Sequence, residues 1–185
     1  SGHAQIALAT DGACRDRPDT LGDPLVALRV DNDLFAERDY GYSSGVQLSL
    51  VSPNLASFTD DPCLPAFARW LNTHLARVRP AGFDQQNMVV KFSQATYTPL
   101  DRERRDLIVD DRPYAGILML TLGYNARVGD ALRTTQLGIG LVGPHAYAEQ
   151  TQDFIHSFTR SRRFQGWDNQ LDDELLLMLL HERAY

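Results

Sequence analysis

One histidine of this sequence lies in a stretch whose spacing indicates a helix, with amide and acidic side chains beside it. His156 follows Gln152 and Asp153 at intervals of four and three residues, and Glu149 precedes it by seven. Residues three and four apart are neighbours on a helix, so these polar groups are expected to share one face. An imidazole titrates near neutral pH and can take a proton from water. This face therefore predicts a general base.

The segment around His156 has the start signal and the apolar face of an amphipathic helix. Gly143-Pro144 ends the apolar run before it, and proline suits a first helical turn because that turn does not use its amide donor. The apolar and aromatic side chains at helical spacing are Tyr147, Phe154, Ile155 and Phe158. A short helix near residues 145–160 is therefore predicted.

Length, composition and charge exclude several classes of protein. The sequence has 185 residues, of which 43% are hydrophobic and 23% charged, enough for one domain with a core. Its net charge of -6 argues against a nucleic-acid-binding protein, which needs a basic surface. No stretch approaches the roughly 18 apolar residues of a membrane-spanning helix. A membrane β-barrel stays open, because its strands need only about ten residues of alternating character.

Alternating apolar and polar residues predict about six β-strands. In the clearest segment, Val46, Leu48 and Leu50 alternate with polar residues. Apolar residues at helical spacing in 65–78 predict a further short helix. The predicted strands are 25–31, 46–50, 87–93, 116–124, 136–141 and 175–182, the last being equally compatible with a buried helix.

The alternation fits two environments. In a soluble sandwich the apolar side chains point inward, whereas in an outer-membrane barrel they contact lipid and the polar set lines the lumen. Arg29 and Lys91 occupy the middle of predicted strands and favour the polar lumen. A soluble periplasmic β-rich domain that binds a lipid or glycan stays as an alternative.

The chain has two cysteines, and both fall in irregular, proline-containing stretches. Cys14 and Cys63 could form a disulfide in an oxidising compartment. Two unrelated free thiols are the alternative. Their spacing does not suggest a zinc site.

Several motifs occur in order along the chain and are more specific together than singly. They are Asp31-Asn-Asp-Leu-Phe35, Asp39-Tyr-Gly-Tyr-Ser-Ser-Gly-Val-Gln-Leu-Ser49, Tyr97-Thr-Pro99, Asp110-Asp-Arg-Pro-Tyr-Ala-Gly116, Gly143-Pro144 with Gln150 and His156, and Gln165-Gly-Trp-Asp-Asn-Gln170. With these motifs, the sequence resembles the lipid A 3'-O-deacylase family of Gram-negative outer-membrane β-barrels. The resemblance extends from about Val26 to Leu171.

This resemblance implies an all-β, antiparallel outer-membrane barrel whose active site lies near the outer rim, between the wall and a helix from an extracellular loop. With about six strands, residues 25–185 would form a partial barrel, the N-terminal half or somewhat more of a family member. Residues 1–24 are expected to be irregular, and Ser1-Gly2-His3 looks like the remnant of a tag. The whole protein would be a monomer in the cell outer membrane.

The resemblance also implies a calcium-dependent hydrolysis of the acyloxyacyl ester at the 3' position of lipid A, the lipid of lipopolysaccharide. His156 would be the general base that takes a proton from the attacking water. Asn32 and Asp33 would be the catalytic ligands of calcium, which stabilises the negative charge on the carbonyl oxygen. The alternative for this pair is a turn at the end of a strand, in which both side chains bind local backbone groups. Ser43 would orient the water or the substrate.

Four arginines match the region where family members carry basic side chains for the glucosamine phosphates. Arginine suits phosphate because its planar fork donates two parallel hydrogen bonds. A solvated charged turn, or an Asp–Arg ion pair in the barrel wall, is the alternative. The four residues are Arg112, Arg102, Arg104 and Arg105.

One position departs from the family pattern. A better-studied type of family member has a glutamate six residues after its histidine, and this chain has Arg162 there. A basic residue cannot accept a proton from water, so another carboxylate would have to act. The candidates are Glu149, Asp153 and Asp168, and a barrel homologue without catalysis is the alternative.

Aromatic residues of the motifs are open to two interpretations. They could form the aromatic belt of a barrel at the level of the lipid headgroups. They could equally pack beneath a loop. These residues are Tyr40, Tyr42, Tyr97, Tyr114 and Trp167.

Overall fold

One antiparallel sheet, in which each strand pairs with its neighbours in sequence, is the frame of the described part of the chain. The computed structural model describes residues 2–7, 24–32, 44–61, 63–77, 82–101, 104–159 and 164–185. The sheet has seven strands in the order β1 to β7. They are β1 (Gly2–Ala7), β2 (Leu25–Asn32), β3 (Ser44–Val51), β4 (Gln85–Tyr97), β5 (Ala115–Val128), β6 (Ala131–Val142) and β7 (Glu174–Ala184).

The two faces of the sheet carry opposite chemistry. An outer row across β2 to β7 is apolar and exposed, and consists of Leu28, Leu48, Phe92, Leu120, Ile139 and Leu177. The adjacent row on the other face includes Ser49, Lys91 and Thr121, of which the serine and the threonine are buried. Exposed apolar and sheltered polar side chains are the reverse of a soluble sandwich, and typical of a barrel in lipid.

The polar face is organised by hydrogen bonds between strands. The ammonium group of Lys91 donates to Oε1 of Gln136 at 3.3 Å. On β2, Nε of Arg29 lies 2.7 Å from Oδ2 of Asp31. These contacts support the polar-lumen interpretation that Arg29 and Lys91 suggested, since both charges lie on the face opposite to the apolar rows.

Two helices pack on the apolar face at opposite ends of β5. Helix α1 (Ala66–His74) belongs to the β3–β4 connection, and helix α2 (Ala148–Thr159) to the β6–β7 connection. Short 3-10 turns at Pro144–Ala146 and Trp167–Asn169 flank α2. Neither helix in the described part of the chain has the length and apolar character needed to cross a bilayer.

Helix α1 covers a small core at its end of the sheet. The buried side chains there are Leu55, Phe58, Leu64, Met88 and Tyr124, with Ala68 and Leu75 of the α1 region packed against them. The rings of Phe58 and Tyr124 meet edge to face at 5.2 Å. Because of this core, the apolar face is covered at the level of Tyr124, whereas its side chains are exposed at the level of Leu120.

Most of the predicted elements are confirmed, with one difference. The six strands predicted within residues 25–185 are confirmed as β2 to β7, and a seventh strand precedes them. Residues 2–7, expected to be irregular, pair with β2 as β1, because a neighbouring backbone satisfies their hydrogen bonds. The ambiguous segment 175–182 is a strand, because its backbone pairs with β6 along its whole length.

Cys63 is disulfide-bonded, which favours the disulfide over two free thiols. Cys14, the other cysteine of the sequence, lies outside the described residues. The predicted helices in 65–78 and near 145–160 are confirmed as α1 and α2.

Candidate functional site

The helix that carries His156 lies directly against one strand of the sheet. A Cβ atom added at Gly116 would lie 2.6 Å from Cβ of Ala148 and 3.1 Å from Cβ of Ala146. The amide of Gln94 donates to the carbonyl of Ala146 at 2.6 Å. Gly116 alternates with Leu118 and Leu120 on β5, so α2 begins on the apolar, outward face. Only a glycine at position 116 permits this close approach.

The turn before α2 is fastened to the segment that leads into β7. Gly143 has a φ of 115°, and a Cβ there would lie 2.7 Å from the backbone of Asp172. The backbone N–H of His145 donates to Oδ1 of Asp173 at 3.0 Å, and Nδ1 of His145 contacts Oδ2. These hydrogen bonds from His145, the side-chain one first, lower the pKa of Asp173. No sequence motif predicted a role for His145.

A buried aromatic pair supports the inner face of α2. The indole Nε1 of Trp167 donates to Oε1 of Gln152 at 3.1 Å. The rings of Tyr114 and Trp167 lie 4.9 Å apart, and the backbone N–H of Leu171 donates to the carbonyl of Tyr114 at 2.9 Å. A Cβ at Gly166 would lie 2.5 Å from Cε2 of Tyr114. The aromatic-belt interpretation is therefore wrong for Tyr114 and Trp167, because α2 and its flanking segments bury both rings.

His156 lies one turn beyond Gln152 on α2. Its Nδ1 atom is buried and has no hydrogen-bond partner in the described part of the chain. The imidazole meets the ring of Phe164 edge to face, with centroids 4.9 Å apart. A buried polar atom without a partner is costly and uncommon in a folded protein. Such an atom is suited to bind a water molecule or a substrate group.

Three carboxylates lie close together at the start of α2. Burial of Glu149, followed by the negative charges of Asp153 and Asp168, raises the pKa of Glu149. These are the three acids named as substitutes for the family glutamate at position 162. The structure therefore brings the three acids into one electrostatic group. Arg162 itself lies outside the described residues.

The predicted calcium ligands are only partly described. The backbone of Asn32 pairs with Ser44 at the end of β2, and Ser44 pairs with Thr96, which pairs with Gly116. Three strand spacings, about 14 Å, therefore separate position 32 from the strand on which α2 begins. Asp33 and Ser43 lie outside the described residues. Among the residues that the structure describes, no three His, Cys, Asp or Glu side chains form a metal site.

The predicted phosphate-binding arginines are in different surroundings. Nε of Arg112 lies 3.8 Å from Oδ1 of Asp111. The Nε atom is buried and has no hydrogen-bond partner among the described residues. The hydrogen bond from the backbone N–H of Leu100 is the largest influence lowering the pKa of Asp111. Arg112 thus matches the ion-pair alternative. Its phosphate role stays a prediction.

The neighbouring arginines link the β4–β5 loop to the segment after α2. Nε of Arg105 donates to Oε1 of Gln165 at 2.7 Å, and the amide of Asn169 donates to the carbonyl of Arg105 at 2.6 Å. Arg104 is exposed, and Arg102 lies outside the described residues. The loop is therefore fastened beside the helix that carries His156.

Two supporting interactions were missed from the sequence. The spacing of Gln152 and His156 placed them on one face, but nothing in it identified Trp167 as the partner of Gln152. Gly116 was recognised as part of the Asp-Arg-Pro-Tyr-Ala-Gly motif, but its function, which is to let α2 pack closely on β5, was not predicted. A glycine at the start of a leucine-rich strand was the available signal.

Comparisons with known proteins agree with this architecture. A family model described as outer membrane protein LpxR matches residues 3–185. Among solved structures, the fold is similar to that of LpxR from Salmonella typhimurium, with a TM-score of 0.53 and 15% sequence identity. That match covers 73% of this chain and 37% of the Salmonella chain. No curated protein matches by sequence. The predicted fold, an antiparallel partial outer-membrane barrel, is confirmed.

Proposed function

Because the chain belongs to the outer membrane protein LpxR family, we propose that the protein hydrolyses the 3'-acyloxyacyl ester of lipid A, with His156 as general base. The observation that carries this proposal is the position of α2 on the apolar, outward face of the sheet. A lipid held in the bilayer reaches a helix on that face without entering the barrel lumen. The outer-membrane family also disfavours the soluble periplasmic alternative.

Nδ1 of His156, which has no hydrogen-bond partner among the described residues, supports the role of general base. A water molecule bound there would donate its proton to Nδ1 as its oxygen attacks the ester carbonyl carbon. The bond between that carbon and the 3' oxygen of the sugar then breaks, and Nδ1 returns the proton to the sugar oxygen. The products are the free acyloxyacyl acid and a 3'-hydroxyl group. The ring of Phe164 would hold the imidazole plane during both transfers.

The imidazolium formed in the first step needs a negative partner. The carboxylates of Glu149, Asp153 and Asp168, which lie close enough to influence one another, are the proposed source. They would replace the family glutamate for which this chain has Arg162. Arg162 is also the main feature that favours a homologue without catalysis.

The residue types at positions 32 and 33 fit a calcium ion, since amide and carboxylate oxygens are its preferred donors. Asn32 and Asp33 would hold the ion, and Ser43 would orient the water or the substrate. Calcium bound there would supply positive charge that stabilises the negative charge on the ester carbonyl oxygen. For the phosphates of lipid A, we propose the exposed Arg104 with Arg102 and Arg105, and Arg112 at the base of the loop.

Mass spectrometry of lipid A incubated with the full-length protein in detergent tests this function. We expect loss of one acyloxyacyl group with calcium and none with a chelator. His156→Asn should lower the rate by about a hundredfold to ten-thousandfold, whereas His181→Asn, on strand β7, should not. A wild-type protein inactive at every calcium concentration would favour the non-catalytic homologue. An active His156→Asn variant would disprove the assigned base.

A further inference from the structure

Helix α1 presents an aromatic stripe on the side that faces away from the sheet. Phe67 and Trp70 are 68% and 57% exposed, and their rings stack at 5.9 Å. The ring of His74 continues the stripe, 4.5 Å from that of Trp70. No described side chain from outside α1 takes part in these ring contacts. Two large adjacent aromatic rings exposed to water would be an unusual surface for a soluble protein.

The opposite side of α1 is held firmly on the sheet. The hydroxyl of Tyr124 donates to Oδ1 of Asn72 at 2.7 Å, and the amide of Asn72 donates to the carbonyl of Phe58 at 2.5 Å. Asn72 is fully buried, as is Tyr124. The orientation of the helix is therefore determined by a satisfied buried network, and the outward direction of the aromatic stripe follows from it.

The place of α1 on the sheet corresponds to one edge of the apolar band. On β5, α1 packs at Tyr124 and α2 packs at Gly116, and these two positions are eight residues apart. At the usual rise of a strand this is about 27 Å along β5, or about 20 Å along the membrane normal at the usual strand tilt of about 35–45°, which is comparable with the height of about 25 Å of the apolar band of outer-membrane barrels. The exposed apolar row that includes Leu120 lies between the two helices. The stripe is thus continuous with the lipid-facing surface.

The charge of α1 also suits a membrane surface. Residues 66–77 contain Arg69, His74 and Arg77 and no aspartate or glutamate. Basic side chains near an apolar stripe are the composition of helices that lie in the headgroup region of a bilayer. Aromatic rings are enriched at the same level.

We propose that α1 is an interfacial anchor, which inserts Phe67 and Trp70 into the headgroup–acyl boundary of an anionic phospholipid leaflet at the end of the barrel opposite α2. The anchor would set the height and tilt of the barrel, and hence the level of α2 in the other leaflet. It rests on the outer-membrane location and not on the deacylase activity, so it can be tested separately.

Depth-dependent fluorescence quenching tests the anchor in the full-length protein, with Trp70 as the only tryptophan and phosphatidylglycerol-containing vesicles as the membrane. We expect blue-shifted Trp70 emission and stronger quenching by bromine on acyl carbons near the headgroups than near the bilayer centre. Iodide in the water should quench it weakly. In the matched control, Asp130→Trp supplies the only tryptophan, in the β5–β6 turn at the same end of the barrel. The emission of this tryptophan should be quenched by iodide and not by bromolipids.

The change in electrophoretic mobility on heating verifies that both reporter proteins are folded before their quenching is compared. Quenching of Trp70 by iodide as strong as that of the control, without bromolipid quenching, would show that water covers the stripe. Protection from both quenchers would show that a protein surface or a second copy covers it. Either result would overturn the proposal.

Discussion

The indole N–H of Trp167 donates a hydrogen bond of 3.1 Å to Oε1 of Gln152, and both side chains are buried on the inner side of α2. Gln152 lies one turn before His156, so this hydrogen bond determines which side of the helix faces the sheet. The site imidazole is therefore oriented by a residue that belongs to a separate motif. The proposed ester hydrolysis should depend on this contact even though neither side chain transfers a proton.

Removal of the Gln152 amide should loosen α2. Gln152→Leu leaves the indole donor of Trp167 buried without a partner, which costs about 1–3 kcal/mol. We expect a lower urea midpoint in detergent and a lower deacylation rate. Trp167→Phe removes the donor, and the double variant should recover part of the loss, because the two changes affect one contact. Strictly additive effects would show that the hydrogen bond is not formed in solution. The exposed Gln150→Leu is the matched control.

A methyl group on Gly116 should displace α2. Its Cβ would lie 2.6 Å from Cβ of Ala148, and overpacking of this kind costs about 1–3 kcal/mol. We expect Gly116→Ala to speed hydrogen exchange in α2 and to lower the deacylation rate. Gly123→Ala, on the same strand, is the control, because its Cβ would make only ordinary contacts at 3.5–3.6 Å. Equal exchange rates in the two variants would contradict the close approach.

The raised pKa of Glu149 predicts a stabilising substitution. A carboxyl group whose pKa is higher in the folded state destabilises the fold above that pKa, and the penalty vanishes below the unfolded pKa of about 4.3. Glu149→Gln should therefore raise the free energy of unfolding at pH 7 and have no effect near pH 4. Denaturation across this pH range measures it, with Glu174→Gln on β7 as control. A destabilised variant at pH 7 would argue against the cluster.

The lowered pKa of Asp173 predicts the opposite pH dependence. A carboxylate with a depressed pKa stabilises the fold above its unfolded pKa of about 3.9, and this contribution is lost as the pH falls through the folded value. Asp173→Asn should destabilise the protein at pH 6–7, and the difference from wild type should shrink in acid. The neighbouring Asp172→Asn serves as the control. A pH-independent difference would mean that charge is not involved.

Local sequence patterns were sufficient to predict most of the strands and helices. The two-residue period of Val46, Leu48 and Leu50 and the helical period around Trp70 are properties of short segments, so strands and helices followed from them. The ordered motifs were sufficient for the family. Neither signal could separate strand from helix in 175–182, because a run of leucines satisfies both until a neighbouring backbone is present.

The sequence by itself determined the alternation, the helix that carries His156 and the family, because each depends on residues close together in the chain or on motifs in order. Only the tertiary structure showed that the apolar face of the sheet is the exposed one and that α1 and α2 both pack on it. It also decided the burial of Tyr114 and Trp167 and the pairing of His145 with Asp173. These depend on contacts between residues far apart in sequence, and such contacts exist only once the strands have paired.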